Sequence, residues 1–299
     1  MAQSLLSELA TRLYRLTTLP GTRESALPGV HIARYDVTER QTKRQWRACL
    51  ALVAQGAKEV VLGRTTYRCA EGHYTAAPVH LPVISRIAVA APRTPFLALL
   101  VDLNPLTLSE VVAQLNDEYA QSPSASVRAL FRGRANDSML EAAVRLTRLL
   151  ASQDDLRVLG PMVVKELVYH LLRGSEGQAI AQFVRSGTKT QKVARAAFLI
   201  RSHLREELDV VALAKAAAMS RSAFFQHFKH VTSLTPIQYQ KRLRLLEAQQ
   251  LMVQAEQTAQ ASAHRVGYQS VSQFTREYAR MFGDTPSRHA AKLRRAAAS

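Results

Sequence analysis

Residues Ala214–Pro236 read AKAAAMSRSAFFQHFKHVTSLTP, residues Ala263–Pro286 read AHRVGYQSVSQFTREYARMFGDTP, and the second stretch repeats the design of the first. A constant offset of fifty residues pairs Ser220 with Ser270, Ser222 with Ser272, Phe224 with Phe274, Phe228 with Tyr278 and Pro236 with Pro286. Upstream of the paired serines the second copy carries one extra turn residue. Each copy has a short Ala-rich helix, a tight turn, a second helix opened by Ser with aromatics four residues apart, and a Thr-Pro that starts the next element. This is the pattern of a helix-turn-helix unit, written twice.

The spacing also assigns faces. Ser220 suits the N-cap, where its hydroxyl accepts from an otherwise unpaired backbone N–H. At about 100° per residue, Phe224 and Phe228 share a buried stripe, which leaves Ser222, Gln226 and Lys229 pointing away from it. In the second copy Phe274 and Tyr278 go inward, and Ser272, Gln273, Arg276 and Arg280 lie on or near the opposite face. A helix built this way fits the major groove. Gln bonds adenine in two places and Arg bonds guanine in two places, each good contact giving roughly 1–3 kcal/mol of discrimination. The candidate DNA-binding set is Arg221, Ser222, Phe225, Gln226 and Lys229 in the first unit, with Gln269, Ser272, Gln273, Thr275, Arg276 and Arg280 in the second. Lys229, Arg276 and Arg280 also suit phosphate, a contact that positions without reading sequence. Phe225 suits either packing or a thymine methyl.

Between the copies, Thr235-Pro236 followed by Gln238 predicts a capping box with Pro at the first helical position. A helix from there to about Val253 spans roughly 27 Å at 1.5 Å per residue. That length holds two recognition helices apart at nearly the ~34 Å between successive major-groove faces. One chain then reads two neighbouring groove segments, and its site need not be palindromic.

Charge points the same way. The 299 residues carry 40 Lys and Arg against 23 Asp and Glu, a net charge of +17. Residues 192–299 hold 17 of the basic and 7 of the acidic residues, so an excess of 10 falls in the part with the repeat. A polyanionic partner follows, and helix-turn-helix spacing in the basic part favours double-stranded DNA over an anionic membrane. Cys49 and Cys69 are the only cysteines and form no CxxC pair, which suits a reducing compartment and gives a disulfide scaffold nothing to build on. At the N-terminus, Leu5, Leu6, Leu9, Leu13 and Leu16 share one helical face, with Glu8, Arg12 and Arg15 interrupting any signal-peptide core. The apolar stretch around Val83–Val101 is broken by Arg86, Arg93 and two prolines, so no membrane span is expected and the protein reads as cytoplasmic.

Residues 19–105 change character. Short β-favouring runs appear at Gly29–Tyr35, Cys49–Ala54, Glu59–Leu62, Thr65–Cys69, Val83–Ala90 and Phe96–Asp102, with Gly63-Arg64 as a hairpin turn and Glu71-Gly72 as a second turn. Short strands without intervening helices predict an antiparallel barrel or sandwich, and a barrel mouth can hold a small ligand. Helical periodicity resumes at Leu106: Leu108–Leu115, Met139–Leu150 after a Ser/Gly/Asp-rich stretch at 121–138, Pro161–Leu172 and Ala179–Val184. The segment 186–190, SGTKT, is the linker candidate, followed by a helix over Gln191–Leu204.

The chain from Leu213 to Pro286 resembles the C-terminal DNA-binding domain of AraC/XylS-type transcription regulators. LAKAAAMSRSAFFQHFK, the RLxxAxxLM of Arg244–Met252 and VGYQSVSQFTREYARMFGDTP carry the resemblance. The N-terminal part resembles a recurrent AraC-type partner domain through ALVAQGAKEVVLGRTTYRCAEGHY at 51–74, LPV at 81–83 and KELVYHLL at 165–172. The resemblance implies a cupin-like barrel that senses a small molecule or mediates self-association, ahead of a tandem DNA reader that activates, and sometimes represses, transcription. RNA polymerase and a second copy of the chain are implied partners. Two positions depart from the family. Ser233 stands where Gly usually follows the first recognition helix, and Ala218-Met219 is the counterpart of Gly267-Tyr268.

The expected fold is therefore α+β in two domains. An antiparallel cupin-like β-barrel with an N-terminal helix occupies 1–105 and a helical connector packed with it 106–190, followed by an all-α tandem helix-turn-helix domain at 191–299. Tyr67, His73, Tyr74, His80 and Arg86 are the effector-pocket candidates. His73 and His80 stand apart and no His-x-His pair exists, so no metal and no cofactor are expected. The chain has no GxSxG, Walker loop, GxGxxG or HExxH, and the adjacent carboxylates Asp154-Asp155 and Glu206-Glu207 read as solvated charge, so no catalytic residue is expected. It also lacks the zinc-binding cysteines and the Pro-Cys-His-Arg segment of AraC-like DNA-alkylation response proteins. A cupin-type enzyme with a DNA-binding tail and a basic protein-interaction module remain the alternatives. A tightly bound metal distinguishes the first, and sequence-indifferent DNA binding the second.

Overall fold

The computed structural model describes residues 1–115, 127–151 and 153–298. Helix α1, Ala2–Leu16, buries Leu6, Leu9 and Leu13 on one face, as the leucine spacing requires. Nine strands follow: β1 Gly21–Glu24, β2 Val30–Tyr35, β3 Thr42–Trp46, β4 Cys49–Gln55, β5 Ala57–Leu62, β6 Thr65–Ala70, β7 His73–Ala77, β8 Leu81–Val89 and β9 Phe96–Asp102. After α2, Pro105–Gln114, a tenth strand β10 covers Phe131–Arg134. Helices α3, Asp137–Leu149, and α4, Gln153–Arg173, complete the N-terminal body with the short α5, Gly177–Ala181.

The strands form two antiparallel sheets, one in the order β1-β2-β9-β4-β7-β10 and the other β3-β8-β5-β6. The expected closed cupin-like barrel is not formed. Every pairing lies within one sheet, which leaves β1 and β10 as edges of the larger sheet and β3 and β6 as edges of the smaller. Closure requires a strand that hydrogen-bonds across both layers, and none of the described strands does so. Gly56, at φ +79, reverses the chain between β4 and β5, and the turn containing Gly72, at φ +73, separates β6 from β7. Each turn sends consecutive strands into opposite sheets. A side chain at Gly56 would place its Cβ 2.5 Å from the Val89 carbonyl oxygen, so the first of these corners needs glycine.

The outer face of the larger sheet is covered by α1, with α3 packed between α1 and α4. Tyr74 on β7 points to that face, its hydroxyl tucked against Gly133 and Gly174, where any Cβ would fall within 3 Å of it. β10 lies inside the stretch read from sequence as a helical connector. Its FRGR holds no apolar alternation, and long-range pairing with β7 (Gly133 opposite Tyr74) makes it a strand. Part of the Ser/Gly/Asp-rich stretch, residues 121–126, and the side chain of Asp154 lie outside the described residues. α4 runs through Pro161 rather than starting there. Burial of Leu156, Val163, Leu167 and Leu171 outweighs the roughly 3 kcal/mol that an interior proline costs.

The remaining chain is helical: α6 Lys189–Ser202, α7 Val210–Ala216, α8 Arg221–Thr232, α9 Pro236–Gln254, α10 Ala259–Arg265, α11 Val271–Phe282 and α12 Pro286–Ala298. The core of the first helix-turn-helix unit, including Phe224, Phe228 and Tyr239, is continuous with the core beneath the larger sheet. The second unit has its own core around Phe274, Tyr278 and Met252. None of the described helices is long and apolar enough to cross a membrane.

Candidate nucleic-acid interface and the cavity behind it

Both units form as the repeat requires. Ser220 caps α8 by accepting from the Ala223 N–H at 3.2 Å, and Ser270 caps α11 by accepting from the Gln273 N–H at 3.2 Å. Beneath α8, Phe228 packs edge-on against Tyr239 at 5.4 Å between ring centroids. Beneath α11, Phe274 lies 5.3 Å from Tyr268 and 5.5 Å from Tyr278. These rings fix which way each helix faces. Arg221, Ser222, Gln226 and Lys229 are exposed on α8, as are Ser272, Gln273, Arg276 and Arg280 on α11 and Gln269 in the turn before it. Lys229, Arg276 and Arg280 enter no ion pair among the described residues, so their charge is free for a polyanion.

Three candidates are less free. Phe225 is half-buried with the Arg221 guanidinium 5.9 Å from its ring centroid, and the Thr275 hydroxyl donates back to the Val271 carbonyl at 2.9 Å. Gln273 donates to Glu277 at 3.2 Å, a residue that sequence reading passed over. Glu277 also accepts from Lys241 at 2.6 Å and from the Tyr268 hydroxyl at 2.8 Å. Burial pushes its carboxyl up, but these bonds outweigh that effect and hold it below the usual carboxylate range. Its position one residue after Arg276, on the flank between the buried and exposed stripes, is the only signal the sequence offered.

The departures at Ala218 and Ser233 keep the turn geometry. Ala218 stands at φ +48 and Ser233 at φ +63, where their counterparts Gly267 and Gly283 stand at +93 and +79. Helix α9 then spaces the units. Thr235 and Gln238 form the capping box, and nineteen residues give a length of roughly 28 Å. Arg244 on α9 donates to the carbonyls of Leu204 and Glu206 at 2.7 Å each and to that of Gly267 at 3.1 Å, tying the end of α6 to the turn of the second unit.

The reader is docked on the N-terminal body. The Tyr239 hydroxyl donates to the His80 carbonyl at 2.6 Å, the Ala129 N–H to the Val231 carbonyl at 2.9 Å, and the Lys43 ammonium to the Met281 carbonyl. Between the two sheets and α9 lies a cavity of about 1070 Å³, walled by residues that include Tyr35, Arg44, Trp46, Lys58 and Phe96, with Leu246, Gln250 and Val253 of α9 closing it. Of the pocket candidates from sequence, Tyr67 packs against the main core, His73 bonds the Glu71 carbonyl, Tyr74 is buried on the opposite face of its sheet, and Arg86 pairs with Glu59 at 2.7 Å on the surface. His80 lines a second cavity, of about 1050 Å³, between the N-terminal body and α6 and α9. Burial, with Arg201 and Arg47 nearby, pulls its imidazole down to about 4. Cys49 and Cys69 are buried and unpaired, and burial pushes both thiols up to about 12, which disfavours the reactive thiolate.

Comparison with known proteins agrees with this arrangement. The AraC-type transcriptional regulator N-terminus family matches residues 26–179, and a helix-turn-helix domain family matches residues 213–292. The HTH-type transcriptional regulator ArgR of Pseudomonas aeruginosa is 30% identical over 146 residues, covering 48% of this chain and 44% of that protein. The RCS-specific HTH-type transcriptional activator RclR of Escherichia coli is 36% identical over 88 residues, 29% of this chain and 31% of that one. The matched stretches thus span less than half the length of these relatives. In overall fold, ToxT from Vibrio cholerae superposes with a TM-score of 0.61 at 10% identity, covering 89% of this chain and 98% of ToxT. A structure of ToxT with bound unsaturated fatty acid gives 0.56 at 11% identity, covering 91% and 97%.

Proposed function

The chain belongs to the AraC-type transcriptional regulators, and from that premise we propose a sequence-specific DNA-binding regulator that answers to a small-molecule effector. The observation that carries this reading is the pair of capped helices, α8 and α11, each burying aromatics and offering Gln, Ser and free basic side chains outward, spaced by α9. In this reading α8 and α11 enter two adjacent major-groove segments, with Gln226 and Arg276 on base edges and Lys229 and Arg280 on phosphates. Residues 1–105 sense the effector or self-associate, 106–190 connect, and 191–299 bind promoter DNA. A role in activation adds contact with RNA polymerase, and self-association through the N-terminal body adds a homodimer.

Effector control has a physical route. Leu246, Gln250 and Val253 of α9 wall the cavity between the sheets, so a ligand there touches the helix that spaces the two readers. It shifts the arrangement only by binding two arrangements unequally, and DNA then changes its affinity by the same factor. Equal ligand affinity with and without promoter DNA, measured by isothermal titration, would sink that coupling. ToxT, a protein of similar fold, has been seen with unsaturated fatty acid bound.

Mobility-shift competition at near-physiological salt tests the DNA reading. A fragment selected for binding outcompetes scrambled DNA by at least about a thousandfold. Equal competition returns the protein to a basic module for acidic partners.

A further inference from the structure

We infer that the cavity between the sheets receives a small amphipathic carboxylate, its anionic end held by Lys58 and its apolar body lying along Val53, Val60 and Phe96. This rests on reading the chain as an effector-responsive regulator and names the class of effector. The charges around the cavity carry the inference. Its wall includes four cations, Lys43, Arg44, Arg47 and Lys58, and no carboxylate. Three of the four already have oxygen partners. Arg44 donates to both oxygens of Glu39 at 2.8 Å, Arg47 pairs with Asp102 at 3.3 Å, and Lys43 reaches the Met281 carbonyl.

Lys58 has none. Its ammonium lies over the face of Trp46, 4.8 Å from the ring centroid, and makes no hydrogen bond or ion pair among the described residues. It is the second residue of β5, a strand flanked on both sides, with Lys58 opposite Cys69 of β6 and Ile87 of β8. Desolvation, with the Arg44 charge next in size, pulls it down to about 8. An unpaired cation in such a place costs free energy that an incoming anion recovers. The wall is mixed: Val53, Val60, Phe96 and Ala98 give it an apolar strip, and Thr42, Gln45, Thr75 and Gln250 are among its polar residues. One ammonium without an oxygen partner, beside that apolar strip, suits a monoanion with a hydrocarbon body.

Trp46 is the only tryptophan of the chain and stacks on Lys58, so its emission reports directly on the site. Intact protein is titrated with octanoate and phenylacetate, and in parallel with octanamide and phenylacetamide. At least one acid binds saturably and at least about tenfold more tightly than its amide; Lys58→Met brings the ratio to within about twofold, and Lys58→Arg retains it. Acid and amide binding alike, a preference that survives Lys58→Met, or no acid shifting Trp46 emission at millimolar concentration overturns the inference. Recovery of the same DNA fragments by Lys58→Met and wild type shows that the variant is folded. Sequence-indifferent DNA binding beside an intact carboxylate preference faults the regulator reading alone.

Discussion

Replacing Gly267 by Ala loosens the second helix-turn-helix unit, and replacing Ala218 by Gly steadies the first. The two residues hold equivalent places in their turns, both in the left-handed region. An L-residue there costs about 1–2 kcal/mol. Glycine returns about 0.4–1 kcal/mol of that through its greater freedom in the unfolded chain. Ala218→Gly therefore stabilises by about 0.5–1 kcal/mol. At Gly267 the same strain is joined by a collision, because an added Cβ would lie 2.4 Å from the Arg205 carbonyl oxygen and 2.9 Å from its Cα. That main chain cannot easily give way, since the carbonyls of Leu204 and Glu206 on either side accept from Arg244. Gly267→Ala is expected to cost about 2–4 kcal/mol. Amide hydrogen exchange on the intact protein measures each unit separately, and a loss of that size speeds exchange in α11 by roughly 30- to 1000-fold. Because the turn also sets the angle of α11, promoter affinity falls in parallel. A Gly267→Ala change under 0.5 kcal/mol, or slower opening of α8 failing to appear in Ala218→Gly, would refute the reasoning.

Two further outcomes follow from the charge network. His80 is neutral in the folded protein down to about pH 4, whereas an unfolded histidine takes its proton near 6.5. Between those values the unfolded chain binds more protons, so stability falls as pH drops from 6.5 toward 4, by on the order of 2–3 kcal/mol. Urea unfolding at pH 7 and 4.5 should give a smaller loss for His80→Asn, and an equal loss in both proteins contradicts the assignment. Glu277→Gln removes a charged acceptor from Lys241 and Tyr268 and is expected to cost about 1–3 kcal/mol in the second unit. It also frees Lys241 for phosphate, so affinity for random DNA rises in mobility shifts, and an unchanged or weaker affinity counts against this role.

The reader was legible in the sequence because its determinants are local. Ser220, Ser270 and Thr235-Pro236 act on backbone groups within three residues, and the Phe224–Phe228 and Phe274–Tyr278 spacings need only helical geometry. Even the left-handed Ala218 and Ser233 fall where the repeat puts them. The N-terminal body was less legible because its pairings are long-range. β3, TKRQW, shows no hydrophobic alternation, since its side chains line a cavity, and β10 becomes a strand only by pairing with β7. Whether two sheets close depends on edges far apart in sequence, so the barrel expectation failed although β2, β4, β5, β6, β8 and β9 were read from sequence, while β1, β3, β7 and β10 were not. Nothing in the sequence marked Lys58, because Trp46 comes beneath it only through the placement of β3. Tyr74 looked like a pocket residue, but strand alternation turned Thr75 to the cavity and Tyr74 to the helices.

The most direct measurement is selection of bound fragments from a sheared bacterial genome by intact protein at near-physiological salt, with Gln226→Ala and Arg276→Ala alongside. Salt is held there because phosphate contacts dominate at low ionic strength. Two readers spaced by α9 predict a bipartite asymmetric motif with halves about one helical turn apart. Gln226→Ala relaxes one half and Arg276→Ala the other, each by roughly 1–3 kcal/mol. Uniform recovery across the genome, or both variants relaxing the same half, contradicts the account.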